Sequence, residues 1–230
     1  MRILLVASDR MEFQGILAHL ETGRRISIGA DWARTGQSGG HEVLLVANGV
    51  GAHRAAAGVD AAWTVFAADR VISIGFCGAL DPALQVGDVV ISTCVAAKDR
   101  NYPVLPIAGK AAASGVICSI DRIARTAAEK RELSAQGFVA VEMEAAGVAQ
   151  RAAFLGLAFS CVKAVTDLAG EDMANDFNRA LRSDGHFATM RIFRDALRHP
   201  AARIPELIQL RQHCVRAART LGDFFADCRF

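Results

Sequence analysis

A chain of 230 residues with 52% hydrophobic residues and a mean hydropathy of +0.25 has enough apolar surface for one large α/β domain and too much for a disordered protein. Its formal net charge of +2 excludes a dedicated nucleic-acid binder, which carries a marked basic excess. In chain order, RILLVAS (2–8) reads as a first strand; its apolar run is far too short for a signal-peptide core or a membrane span. EFQGILAHLE (12–21) has helical spacing at Phe13, Ile16, Leu17 and Leu20. HEVLLVANG (41–49) predicts a strand, and AHRAAAGVDAAWTVF after it a helix. RVISIG (70–75) and DVVISTCVA (88–96) predict strands, joined by FCGALDPALQVG, which its Gly and Pro mark as a loop. GFVAVEM (137–143) and LAFSCVKAVTD (157–167) have the β-branched look of central strands, with a helix over 144–155 between them.

The C-terminal stretch differs. HFATMRIFRDALRH (186–199) puts Phe187, Met190, Phe193 (or Arg194) and Leu197 on one helical face, with Arg191, Arg194 and Arg198 beside it. A last helix is expected from Pro205, at its first turn, to about position 225. Nine Arg stand against Asp184, Asp195 and Glu206 between Arg179 and Arg219. Such helices either turn a solvated face outward or meet an anionic or membrane surface.

Strand–helix alternation predicts an α/β fold with a mostly parallel or mixed sheet. No repeat or linker interrupts it, so 1–230 reads as a single domain. The stretch 97–114 and the loop after Asp167 are the least regular. The cysteines Cys77, Cys94, Cys118, Cys161, Cys214 and Cys228 form no CxxC pair and no zinc spacing. They predict reduced, buried thiols in a cytoplasmic protein, with no metal.

Three acids stand where strands end. Glu12 follows the first strand, Glu144 opens a helix after GFVAVEM, and Asp167 ends SCVKAVTD. In open α/β folds the loops at the carboxyl ends of strands form the active-site crevice. Carboxylates gathered there suit chemistry that builds positive charge, such as glycoside cleavage through an oxocarbenium-like transition state. Taken singly, each acid serves equally well at a helix N-terminus or a turn.

The run VEMEAAG (141–147) followed by VKAVTD (162–167) resembles the nucleoside phosphorylase and nucleosidase superfamily, and most of all its 5′-methylthioadenosine/S-adenosylhomocysteine nucleosidases. MRILLVASDRMEF, NGVGAHRAA (48–56) and GFCGALDPALQVGDVVIS (75–92) resemble further segments of that family, so the likeness spans residues 1 to about 168. It implies a three-layer α/β/α fold around a mixed, partly barrel-like sheet. It also implies hydrolysis of the N-glycosidic bond of a 5′-substituted purine nucleoside, with no cofactor. Carried over position by position, Asp167 would protonate the leaving purine and Glu12 would activate water. Glu144 would take the ribose hydroxyls and Met143 would pack on the sugar. Glu142 would play a secondary part, and Phe76, Cys77 and Gly78 would bring backbone close to the ligand. The family's purine-stacking aromatic falls by counting near Ile123. A homodimer or higher homo-oligomer is implied.

Departures from the pattern matter as well. Phe76 stands where the family usually has Ser or Thr, and the phosphorylases' N-terminal G-D-x-x-R phosphate motif is missing; Arg54 is the nearest substitute ligand for phosphate. Both features favour water as nucleophile. AAEKREL (127–133), SDGHF and ALRHPAARIPELI resemble a second branch, the hopanoid-associated phosphorylase-like proteins, which implies an adenosyl-lipid substrate. A phosphate-dependent phosphorylase, an adenosyl-lipid nucleosidase and a non-catalytic nucleoside-binding protein are the alternatives. Release of adenine, with or without phosphate, discriminates among them.

Overall fold

The computed structural model describes residues 1–98, 100–107 and 112–228. The stretch 97–114, expected to be least regular, therefore lies partly outside the described residues. Ten strands form one sheet: β1 Arg2–Ala7, β2 Thr22–Ile26, β3 Trp32–Ser38, β4 His41–Ala47, β5 Arg70–Ala79, β6 Val89–Ala97, β7 Arg100–Pro103, β8 Ala112–Ser119, β9 Phe138–Glu142 and β10 Ala158–Asp167. The strand order is β10-β6-β8-β9-β5-β1-β4-β3-β2, with β7 on β6 and a further pairing of β10 with β5. That last pairing closes β5, β9, β8, β6 and β10 into a five-stranded ring. The remaining strands extend from β5 as an open wing, so the sheet is mixed and partly barrel-like.

Helices cover both faces. The helices α2 (Ala52–Trp63) and α4 (Ala145–Leu155) share a core with Leu4, Val6, Leu44, Val46 and Val71 on one side. The short α1 (Gln14–Ala18) and long α7 (Pro200–Asp227) share a core with Ile3, Leu5, Val43, Leu45 and Ile72 on the other. Strand residues alternate between the two cores because side chains alternate across a strand, and both faces are apolar because both are covered. Three short helices complete the chain: α3 Ala127–Ser134, α5 Phe177–Ala180 and α6 Thr189–Ala196.

The structure departs from the sequence expectation at several places. β7 forms inside the stretch expected to be irregular, and β8 follows it as an unexpected strand. Phe187, expected on the helical face of 186–199, precedes α6 and bridges to Leu181. The hairpin β2–β3 was not expected, since TGRRI and WARTGQS carry little apolar alternation. The helix expected over 12–21 is a 3-10 turn, Arg10–Phe13, followed by the five residues of α1. The final helix begins at Pro200, not Pro205. Pro205 lies inside it, where it removes one N–H donor and crowds the Ala201 carbonyl without ending the helix. Most relevant to function, β5 does not end at Gly75 but runs on through Phe76 and Cys77 to Ala79.

That continuation builds the site. Gly75 has φ +131°, a conformation that glycine adopts readily and other residues do not. Before it, β5 pairs with β1; after it, β5 leaves β1 and meets β9 at Gly78 and Ala79. A gap opens between β1 and the second half of β5.

Candidate active site

Glu12 fills that gap. Asp9 caps the 3-10 turn by accepting from the Met11 N–H at 2.8 Å, which fixes the backbone that carries Glu12. Its Oε2 accepts from the backbone and hydroxyl of Ser8 at 2.7 and 2.9 Å and from the Asp9 N–H at 2.9 Å. Its Oε1 accepts from the Phe76 N–H at 2.8 Å. A Cβ on Gly75 would lie 2.3 Å from this Oε1, so glycine is required for contact as well as for φ. Oε2 is saturated with three donors, while Oε1 keeps a lone pair for a further one. Burial pushes the Glu12 carboxyl up, although Lys163 and these donors oppose it.

Glu142 and Glu144 divide their work. Glu142 ends β9, and its Oε2 accepts the N–H groups of Glu144 and Ala145 at 2.9 and 2.8 Å. It thereby caps α4 with a carboxylate at the helix N-terminus. The Lys163 ammonium lies 2.9 Å from the same oxygen. Burial raises the Glu142 carboxyl, but Lys163 overcomes that and holds it below its usual range. Glu144 points the other way. Its Oε1 accepts from the Gly51 N–H at 2.9 Å, at the start of α2, and Lys163 stands 4.0 Å from Oε2. Burial, with the charges of Glu142 and Glu12 added, outweighs Lys163 and pushes the Glu144 carboxyl up to about 7.

Lys163 is 1% exposed and also donates to the Ile74 carbonyl at 3.1 Å. Burial alone would push its ammonium down; Glu142 and Glu144 reverse that and hold it above its ordinary value. It therefore belongs to the Glu142 and Glu144 side of the site and does not oppose Asp167.

Asp167 is placed by a bulge. The β5–β10 register shifts between Val165 and Asp167, bringing Asp167 opposite Gly78. A Cβ on Gly78 would lie 2.8 Å from Asp167 Oδ2, so this glycine makes room for the carboxyl. Oδ1 accepts from the Thr166 hydroxyl at 3.1 Å. Oδ2 lies 2.6 Å from the ammonium of Lys130, which is wholly buried on α3. Burial raises the Asp167 carboxyl and Lys130 opposes it.

One cavity of about 330 Å³ unites these groups. All nine residues singled out in the sequence line it: Glu12, Phe76, Cys77, Gly78, Ile123, Glu142, Met143, Glu144 and Asp167. Cys77 is buried, and burial pushes its thiol well up, so it serves as an apolar wall. Ile123 lines the cavity where an aromatic was sought, and its backbone is clamped by the Asn178 side chain at 2.8 and 2.9 Å. Besides Phe76, the aromatic rings of the cavity come from the C-terminal third. Phe177 and Phe187 meet edge to face at 6.2 Å and line the same cavity, with Met173, Ile192 and Leu210. Sequence reasoning missed them because nothing local ties these positions to the strand ends.

Arg54, considered as a phosphate ligand, is committed elsewhere. Its guanidinium donates to the Asn48 carbonyl at 2.6 Å and to Asp31 at 2.7 Å, and it does not line the cavity. Among the described residues no cluster of His, Cys, Asp and Glu is placed to hold a metal ion, and no helix is long and apolar enough to cross a membrane.

Residues 2–113 and 108–192 match the Phosphorylase superfamily. The chain belongs to this superfamily. A 5′-methylthioadenosine/S-adenosylhomocysteine nucleosidase of Lysinibacillus sphaericus is 30% identical over 213 residues, covering 79% of this chain and 92% of the relative. Among solved structures, the S-adenosylhomocysteine nucleosidase of Streptococcus pyogenes, in complex with 5-methylthiotubericidin, has a TM-score of 0.73 at 22% identity, covering 98% of this chain and 96% of that one. The 5′-methylthioadenosine/S-adenosylhomocysteine nucleosidase of Neisseria meningitidis, in complex with methylthio-immucillin-A, has a TM-score of 0.70 at 24% identity, covering 98% of both chains. The superfamily's three-layer fold is thus the fold of this chain.

Proposed function

We propose that this chain hydrolyses the N-glycosidic bond of a 5′-substituted adenine nucleoside, as the names of its nucleosidase relatives describe for them. The observation that carries this reading is the convergence of Glu12, Glu144 and Asp167 on one cavity, each raised by burial. Water held at Glu12 Oε1 attacks the anomeric carbon and loses a proton to Glu12. The bond to the purine breaks, its electron pair goes to the base, and Asp167 protonates the base nitrogen. Glu144 accepts hydrogen bonds from the ribose hydroxyls, and Met143 packs on the sugar. Solvent exchange returns one proton to Asp167 and takes one from Glu12. The three carboxylates favour a neutral nucleophile over phosphate; Arg54 is not placed to offset them, and Arg122, which lines the cavity, is paired with Glu129. The apolar wall of Met173, Phe177, Phe187, Ile192 and Leu210 suits an apolar 5′ substituent. The same reading keeps the chain in the cytoplasm, where its six free thiols stay reduced.

Adenine release from 5′-methylthioadenosine in phosphate-free buffer tests the proposal. Because Glu144 must be ionised to accept from ribose, and its carboxyl sits at about 7, kcat/KM is expected to fall about tenfold per pH unit below that value. No release from any 5′-substituted adenosine would reject the reaction; a flat acid limb would reject the role of Glu144.

The α6 face supports a second, separate reading: it docks on an anionic lipid surface. Met190, Phe193 and Leu197 are 78%, 55% and 53% exposed, and exposed Arg191, Arg194 and Arg198 flank them. Anionic headgroups complement these arginines while the apolar face enters the lipid. Co-sedimentation with vesicles containing phosphatidylserine, lost in Phe193→Asp, is the expected result. A stable dimer with no vesicle binding would assign the face to a homo-oligomer instead.

A further inference from the structure

Lys130 is a lysine with no solvent contact at all. Burying an ammonium is costly unless it is paired and hydrogen-bonded, and here both partners belong to the end of β10. Its Nζ lies 2.6 Å from Asp167 Oδ2 and donates to the Leu168 carbonyl at 2.7 Å. The helix that carries it is fixed at its start by a capping box. Thr126 accepts from the Glu129 N–H at 3.1 Å, and Glu129 returns to the Thr126 N–H at 3.2 Å. The Arg125 N–H adds a further bond to Glu129 at 2.8 Å. The backbone that carries Lys130 is therefore fixed independently of Asp167.

We propose that Lys130 is a positioning residue for the acid that releases the base, holding Asp167 by Oδ2 and favouring the carboxylate formed when the proton leaves. The inference rests on the reading of Asp167 as that acid. During departure the Asp167 O–H bond breaks, the base N–H bond forms, and the electron pair of the glycosidic bond stays with the base. The proton transferred is that of Asp167, and Lys130 transfers none. Its charge stabilises the carboxylate at the moment it appears, which makes Asp167 a stronger acid in a cavity whose burial disfavours the charged form. Oδ1, held among the described residues by the Thr166 hydroxyl alone, is the oxygen with capacity left for the base. The other groups that face Asp167 are Glu171 after β10, Cys77 on β5, and His213 and Cys214 on α7. Among these groups Lys130 supplies the fixed positive charge.

The test compares Lys130→Met and Lys130→Gln with wild type and with Asp167→Asn, measuring kcat against pH and thermal unfolding. Asp167 acts while protonated, so activity is lost as pH rises through its pKa. Removing the cation raises that pKa, and the alkaline limb of kcat is expected to move up by about 1–3 pH units in both lysine variants. The same loss of carboxylate stabilisation is expected to lower kcat at neutral pH about 10- to 100-fold, with KM changed far less. A structural role alone would lower thermal stability and leave the limb in place. The Gln variant keeps hydrogen-bond donors and so provides a folded protein if Met does not. An unmoved limb in folded Lys130→Gln, with Asp167→Asn inactive, overturns the role of Lys130 alone. An Asp167→Asn variant that releases base at the wild-type rate overturns the assignment of the acid, and this inference with it.

Discussion

Base release is expected to fall about 10²–10⁴-fold in Asp167→Asn, the range in which a positioned general acid contributes. The amide keeps the shape of the side chain and removes its transferable proton. The same change has a structural cost, because Lys130 is buried against Asp167 at 2.6 Å. At a pH where Asp167 is ionised, removing this partner of a buried pair costs about 3–5 kcal/mol, since the other charge is left uncompensated, and the cost shrinks as pH falls and Asp167 is protonated. The two effects separate in a double variant. Asp167→Asn with Lys130→Met removes both charges and is expected to recover most of the lost stability while remaining inactive. Adenine release in single turnover and chemical denaturation read the two quantities independently. Wild-type release by the folded single variant would remove Asp167 from the reaction.

The second large effect is expected at Lys163. This ammonium neutralises a buried acidic cluster, standing 2.9 Å from Glu142 and 4.0 Å from Glu144. Lys163→Met keeps the length and apolar stem and deletes the charge, leaving Glu142 and Glu144, 5% and 7% exposed, without a cation. A loss of about 3–5 kcal/mol is expected at pH 8. The pH dependence carries the sign. In wild type the Glu142 carboxyl is held below its usual value, so its contribution is present at neutral pH and is lost as pH falls through its folded pKa. In the variant the hydrogen bonds to Glu142 remain but the largest force opposing burial is gone; its carboxyl rises, and proton uptake relieves the folded state. The stability deficit should therefore shrink between pH 8 and pH 5.5. A deficit that is small at pH 8, or one that grows on acidification, would contradict the ion-pair account.

How much of this was legible in the sequence depends on how local the cause is. The strands β1, β5, β6 and β10 were legible because apolar runs of that length have few other homes. Glu12, Glu144 and Asp167 stood out because each follows such a run, where the sheet opens. The extension of β5 was hidden, since Gly75 and Gly78 read as turn residues. They are there because Glu12 and Asp167 need the space that a Cβ would take. Lys163 was visible as a charge in an apolar strand, but its direction was not, because its partner Glu142 lies on another strand. Lys130 was visible only as part of AAEKREL, and its burial follows from how α3 meets the end of β10. The aromatic wall failed for the same reason. Phe177 and Phe187 reach the cavity from segments far along the chain, while Ile123 stands where a ring was sought.

The most direct test of water as the nucleophile is the identity of the sugar product. The protein would be turned over on 5′-methylthioadenosine in saturating inorganic phosphate, and the products read by phosphorus and proton NMR. The carboxylate-lined cavity predicts free 5-methylthioribose and adenine, formed at the same rate with and without phosphate. A sugar 1-phosphate, or release that depends on phosphate, would contradict it and require an anion site in this cavity, whose one lining arginine among the described residues, Arg122, is paired with Glu129.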